Sequence, residues 1–187
     1  KADVLINGDK IEKIGTIDNI EGAEIIDAAG KIVAPGFIDT HSHSDLKVLI
    51  EPFIEPKLRQ GITTEILGQD GISMAPLPKE FVSSWRKNLA GLDGDSDLLA
   101  WDWETTDKYL DLISKTGSGP NELYLVPHGN IRMEAMGLEA RVATDEELAK
   151  MRDITRREME AGAAGLSTGL IYIPCAYSDT RELVEIC

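Results

Sequence analysis

Histidine and cysteine are scarce in this chain, with three of the first and two of the second among 187 residues. Cys175 and Cys187 stand near the C-terminal end without the spacing of a metal ribbon. Two such cysteines cannot staple a small secreted fold, which excludes a disulfide framework and favours a reducing, cytoplasmic setting. Long apolar runs are missing as well. No stretch approaches the roughly 20 residues that cross a bilayer, and no secretory n-region and h-region open the chain. Basic charge is also short, 19 Lys and Arg against 33 Asp and Glu, for a formal net charge of −14. The few cations are scattered singly, so nucleic acid and membrane surfaces are repelled and excluded as partners.

What is present is the composition of a globular protein, long enough for one ordinary domain or for a small domain plus part of a larger one. Residues 2–6 (ADVLI) and 10–14 flank Asn7-Gly8-Asp9. Asn-Gly supplies the positive φ of a tight hairpin turn, so two antiparallel strands are expected here. Short apolar runs at residues 24–27 (EIID) and 31–33 (KIV) flank Ala28-Ala29-Gly30 and extend the expectation to a small β unit over residues 1–33. The opening at Lys1, followed at once by strand-like residues, suggests a chain cut from a longer one.

From residue 34 the texture changes to short apolar strands alternating with helical segments, the pattern of βα units and a parallel sheet. Strands are expected at residues 36–41 (GFIDTH), 62–67 (ITTEIL), 123–126 (LYLV) and 164–167 (AGLS). Helices are expected at 56–60, 79–89, 106–115 and 144–161, and another opens at Ser178 or Asp179. The sequence Thr144-Asp145-Glu146-Glu147 is a capping box, with apolar residues following at helical spacing. Residues 90–102 read as a mobile surface loop. Four βα units fit half of a (β/α)8 barrel or an open doubly wound sheet. A phosphate binder would show bare glycine backbone after the first strand, and Thr40-His41-Ser42-His43-Ser44-Asp45 has none.

His41 and His43 occupy that strand end instead. Residues i and i+2 of a strand share a face, with α-carbons about 6 to 7 Å apart, so two imidazoles can converge on one ion. Zinc and similar ions favour neutral imidazole, and the carboxyl end of a parallel strand is where such folds place their chemistry. Asp39 and Asp45 are candidate acceptors for the far ring nitrogens. The competing reading is a cluster of hydrogen-bonded surface residues.

The stretch KIVAPGFIDTHSHSD, residues 31–45, resembles the opening of the metal-dependent amidohydrolase superfamily. GITTEILGQDGISMAP at 61–76, PHGNIR at 127–132 and GLSTGLIYIPCAYSDTREL at 165–183 are similar to its N-acyl-D-amino-acid deacylase branch. The resemblance implies an α/β fold: the first half of a (β/α)8 (TIM-like) amidohydrolase barrel over residues 34–187, preceded by part of a small β-sandwich domain over 1–33. It implies His41 and His43 as ligands of zinc, as one or two divalent ions. Deacylases supply a cysteine from the second strand end, where this chain reads Gln69-Asp70-Gly71. Asp70 is therefore a candidate third ligand, and equally an ordinary Asp-Gly turn residue. The carboxylated lysine of other superfamily members has no counterpart, because residues 165–174 contain no lysine.

Tyr172 matches a family tyrosine that touches substrate. His128 is a candidate for the barrel mouth, and Arg132 for holding a substrate carboxylate. Each has an equally good reading as a loop or helix-start residue. Cys175, Trp85, Trp101 and Trp103 read as packing. The implied activity is hydrolysis of an N-acyl-D-amino acid, a small-molecule substrate, by a metal-activated water. The rival readings are a cyclic amide hydrolase of the dihydroorotase or hydantoinase type and a non-catalytic scaffold. The family's catalytic base and two further histidines come from later strands, beyond Cys187. The resemblance thus implies a protein of about 450 to 550 residues, in which the rest of the chain completes the barrel.

Overall fold

The computed structural model describes residues 1–18 and 20–187. They divide into two compact units, Lys1–Pro35 and Gly36–Cys187. In the first, β1 (Asp3–Asn7) pairs antiparallel with β2 (Lys10–Gly15). Gly8 takes φ 62° in the turn between them, as the Asn-Gly pair requires. The two further strands expected at residues 24–27 and 31–33 do not form. Their turn does: Asp27 Oδ1 accepts from Ala29 N–H at 2.9 Å, and Lys31 N–H donates to Ala28 O at 3.0 Å. The flanking residues Ile25, Ile26 and Ile32 remain exposed. Runs of three or four residues gain too little from pairing with each other alone to hold a ladder.

The second unit carries a parallel sheet in the order β3 (Phe37–Asp39), β4 (Ile62–Leu67), β5 (Asn121–Pro127), β6 (Gly165–Ser167). Spatial order follows chain order throughout. A doubly wound sheet reverses direction at a switch point and a (β/α)8 barrel does not, so these four strands are half of a barrel. The helices are α1 (Lys47–Ile50), α2 (Glu55–Leu58), α3 (Val82–Leu89), α4 (Thr106–Thr116), α5 (His128–Met136), α6 (Asp145–Glu160) and α7 (Thr180–Ile186). Helix α6 opens on the expected capping box: Thr144 and Glu147 exchange side-chain to backbone hydrogen bonds.

Two apolar clusters hold these layers together. One gathers Leu67 and Tyr124 of the sheet with Trp85, Leu89, Trp103, Tyr109 and Ile113; the other places Val126 against Ile131, Leu148, Met151 and Ile154. Aromatic polar tips anchor the segment that follows β4. Trp85 Nε1 donates to Ser73 O at 2.7 Å, Trp103 Nε1 to Met74 O at 3.0 Å, and Tyr124 Oη to Ala75 O at 2.7 Å. Asn130 braces the same segment, accepting from Ser73 N–H and donating to the carbonyls of Ser73 and Pro76. A buried loop needs its backbone polar groups satisfied, and here four side chains do so. The result is a rigid platform at the carboxyl edge of the sheet.

Candidate metal centre

His41 and His43 lie just past the end of β3, and their side chains alternate with Ser42. The Ser42 hydroxyl turns inward: it donates to Glu65 Oε2 at 2.6 Å, receives Lys57 Nζ at 2.5 Å and meets Ser44 Oγ at 2.9 Å. Lys57 bridges Asp39 Oδ2 at 2.9 Å and the buried Glu65 at 2.8 Å. Burial alone would lower the Lys57 ammonium pKa, and its hydrogen bonds to Glu65 and Asp39 outweigh this and raise it. The same contact with Lys57 holds the Asp39 carboxyl below its ordinary value. This bracket fixes Ser42, and the histidines on either side are displayed to the opposite side.

The two imidazoles meet edge to face, with ring centroids 5.3 Å apart. Asp70 comes to them from the turn after β4. Its Oδ2 lies 3.6 Å from His41 Nε2 and 3.3 Å from His43 Nε2, and one ligand atom from each residue falls within 4.8 Å of the others. The turn is tightly wound: Gly68, Asp70 and Gly71 have φ of 77°, 57° and 72°. Aspartate is among the few side chains that accept this left-handed region. Ser167 of β6 clasps the turn, donating to Gly68 O and accepting from Gly71 N–H. Tyr172 Oη stands 3.5 Å from Asp70 Oδ2.

Asp39 and Asp45 do not serve the far ring nitrogens. Asp39 is taken by Lys57 and by the backbone N–H of His41. Asp45 is fully buried, and its Oδ1 accepts from Gly68 N–H at 2.7 Å and from the Ser73 hydroxyl. It therefore joins the β3 and β4 loops, at a charge state that burial makes costly, so its pKa is raised. The residue facing His43 Nδ1, at 3.3 Å, is Asp93. Burial pushes the Asp93 carboxyl up to about 8, reinforced by the charges of Asp45 and Asp70. Sequence reasoning missed Asp93, because Gly91-Leu92-Asp93-Gly94 reads as loop chemistry and nothing local ties it to residue 43. The 90–102 segment is also better anchored than a surface loop: the Asp93 side chain and Trp101 are buried.

His128 and Arg132 are placed differently from the expectation. Both side chains are fully buried. His128 Nδ1 pairs with Thr168 Oγ1 at 2.9 Å and Nε2 with Glu182 Oε1 at 2.7 Å, while Arg132 donates to Glu182 and to Arg141 O. Burial would raise the Glu182 pKa, but the hydrogen bonds from His128 and Arg132 prevail and lower it. The physical reason is that α5 begins at His128 with no loop after β5, so residues i and i+4 both face α7. In this arrangement neither is open to a substrate. Cys175 is packing, as expected: it is buried against Gly71 O, and burial pushes its thiol up to about 11.

Two imidazole nitrogens and a carboxylate oxygen on one open rim are donors that suit a divalent ion such as zinc. The surroundings fit a positive charge as well. Among the described residues, Asp45 Oδ2 and both Asp93 carboxylate oxygens are buried beside this rim with no hydrogen-bond partner.

A model of the amidohydrolase family matches residues 24–183. The chain is 37% identical over 187 residues to D-aminoacylase of Alcaligenes xylosoxydans xylosoxydans, covering 100% of this chain and 37% of that protein. It is 39% identical over 183 residues to N-acyl-D-glutamate deacylase of the same organism, covering 98% of this chain and 36% of that protein. The crystal structure of N-acyl-D-glutamate deacylase from Bordetella bronchiseptica, complexed with zinc and a phosphonate mimic of the tetrahedral intermediate, matches with a TM-score of 0.84. Identity there is 35%, over 100% of this chain and 38% of that one. The chain thus spans little more than a third of the length of these relatives.

Proposed function

This chain belongs to the amidohydrolase family, and from that premise we propose that it supplies the first metal ligands of a zinc-dependent N-acyl-D-amino-acid deacylase. Residues 34–187 are the first four βα units of its barrel, and residues 1–33 belong to a small β domain. His41, His43 and Asp70 hold the ion. The observation that carries this reading is their convergence, with ligand atoms within 4.8 Å of one another at the carboxyl edge of parallel strands.

A divalent ion held there supplies Lewis acidity and water ionised near neutral pH. The chain's own residues set the geometry around it. The bracket of Lys57, Glu65 and Ser42 fixes the segment that carries both imidazoles. Ser167 and the loop after β4 fix the turn that carries Asp70. The Tyr172 hydroxyl, beside Asp70, is placed to donate to a substrate carboxylate or to an oxyanion. His128, Arg132 and Glu182 form a buried support under the β5 and β6 ends rather than a substrate surface.

The likeness over the whole chain to deacylases of acyclic N-acyl-D-amino acids favours this reading over cyclic amide hydrolysis. The presence of all three donors argues against a non-catalytic scaffold. The complete protein, loaded with zinc, is expected to release amino acid from N-acetyl-D-amino acids and not from their L forms. Absence of D-selective release overturns the proposal, and ring opening of a dihydroorotate or hydantoin replaces it with the rival.

A further inference from the structure

We propose that Asp93 is the carboxylate that sets the tautomer and orientation of His43 for metal binding, a positioning residue delivered by the 90–102 loop. The inference rests on the metal-site reading above and adds to it a residue far from the ligands in sequence. An imidazole offers one nitrogen to an ion, and the group facing its other nitrogen decides which nitrogen that is and how the ring is aimed. His43 presents Nε2 to Asp70 at 3.3 Å and Nδ1 to Asp93 Oδ1 at 3.3 Å. The ring thus lies between the open rim and a carboxyl whose side chain is 0% exposed, at an approach that a small rotation of either side chain turns into a hydrogen bond.

Asp93 has no competing engagement among the described residues. Both of its oxygens are buried without a hydrogen-bond partner, and so is His43 Nδ1. Leaving buried polar atoms unpaired is costly. With Asp93 ionised, a proton on Nδ1 donated to its Oδ1 pairs these two atoms and leaves the Nε2 lone pair free for the ion. His41 differs, with a side chain 58% exposed against 23% for His43; its far nitrogen can be served by water. The metal-site effect of Asp93 therefore runs through His43 alone.

His43, Asp45 and Asp93 also bring ligand atoms within 4.8 Å of one another. A cation there, beside one at the rim, would require His43 to ligate through both nitrogens. The orienting role asks only for a neutral imidazole.

The test is zinc affinity of the complete protein, measured by chelator competition for the unsubstituted form, Asp93→Asn, Asp93→Glu, His43→Ala and His43→Ala with Asp93→Asn. Asp93→Asn should weaken zinc binding by about 10- to 100-fold, Asp93→Glu should recover part of it, and Asp93→Asn should add nothing once His43 is alanine. In the zinc-loaded protein, nitrogen NMR should find His43 protonated at Nδ1, with a low-field proton that moves in Asp93→Asn. Unchanged affinity in Asp93→Asn, alongside weakened binding in His43→Ala, overturns the inference and leaves the metal site standing. Unchanged binding in His43→Ala overturns the metal reading itself. Loss of a second zinc equivalent with the first unaffected makes Asp93 a ligand and also overturns the inference. If Asp93→Asn does not fold, Asp93→Glu and the Nδ1 signal of the unsubstituted protein decide.

Discussion

Ser42 stands between the two histidines, and its hydroxyl is held by Glu65, Lys57 and Ser44. That grip turns alternation along an extended chain into a fixed pair of imidazoles, which is why His41 and His43 were legible from spacing alone. Asp70 was legible only as one of two readings, since Asp-Gly serves turns and metals equally well. In the structure it is a turn residue, with φ 57°, whose carboxylate also reaches both rings. Asp93 was not legible at all, because its contact with His43 is made by the fold and has no local pattern. If Asp70 is a ligand, Asp70→Asn should weaken zinc binding by more than about tenfold, a charged donor being replaced by a neutral one. Asp70→Cys should shift preference from manganese towards zinc and cadmium, because a thiolate is the softer donor. Competition titrations with the three ions measure both, and equal affinities across the three proteins would remove Asp70 from the site.

The element that places Asp70 is a turn packed against its neighbours with no space to spare. A Cβ at Gly169 would fall 2.2 Å from Asp70 O, and one at Gly68 2.0 Å from Leu125 O. Gly169→Ala must therefore push the turn away from β6, and it is expected to lower zinc affinity although residue 169 is no ligand. Retained affinity with an intact fold would show that the position of the turn does not set the site. Helix α6 was read correctly because its cap and its apolar spacing are local signals. Thr144→Ala should cost about 1 kcal/mol, read as a lower urea midpoint. The Arg141 guanidinium beside Glu147 holds that carboxyl down to about 2, against 4.5 ordinarily. A depressed carboxyl stabilises above its unfolded value, so the difference between Glu147→Gln and the unsubstituted protein should be full above pH 4.5 and vanish as pH falls through about 2. Helix α5 escaped notice for the opposite reason. Its residues are buried on nearly every side, which erases the amphipathic period a sequence reading depends on. The strands expected at 24–27 and 31–33 do not form, since pairs of apolar residues on either side of a turn do not show whether a sheet edge is available to them.

For the whole molecule, the alternation of strand and helix sufficed to identify a parallel sheet, and its unreversed order of four strands makes half of a barrel. Among the described residues no helix is long and apolar enough to cross a membrane. The half-barrel brings His41, His43 and Asp70 together from neighbouring strand ends, and barrel folds assemble their sites from separate units in this way. The chain covers 37% of D-aminoacylase, and the proposed activity belongs to the complete protein. The central claim is that these three residues bind one ion. Crystals of the complete protein grown with zinc, measured at the zinc absorption edge, test it directly. The account predicts an anomalous peak about 2.0 to 2.2 Å from His41 Nε2, His43 Nε2 and an Asp70 carboxylate oxygen. A map with no peak there, or with zinc bound only by other residues, contradicts it.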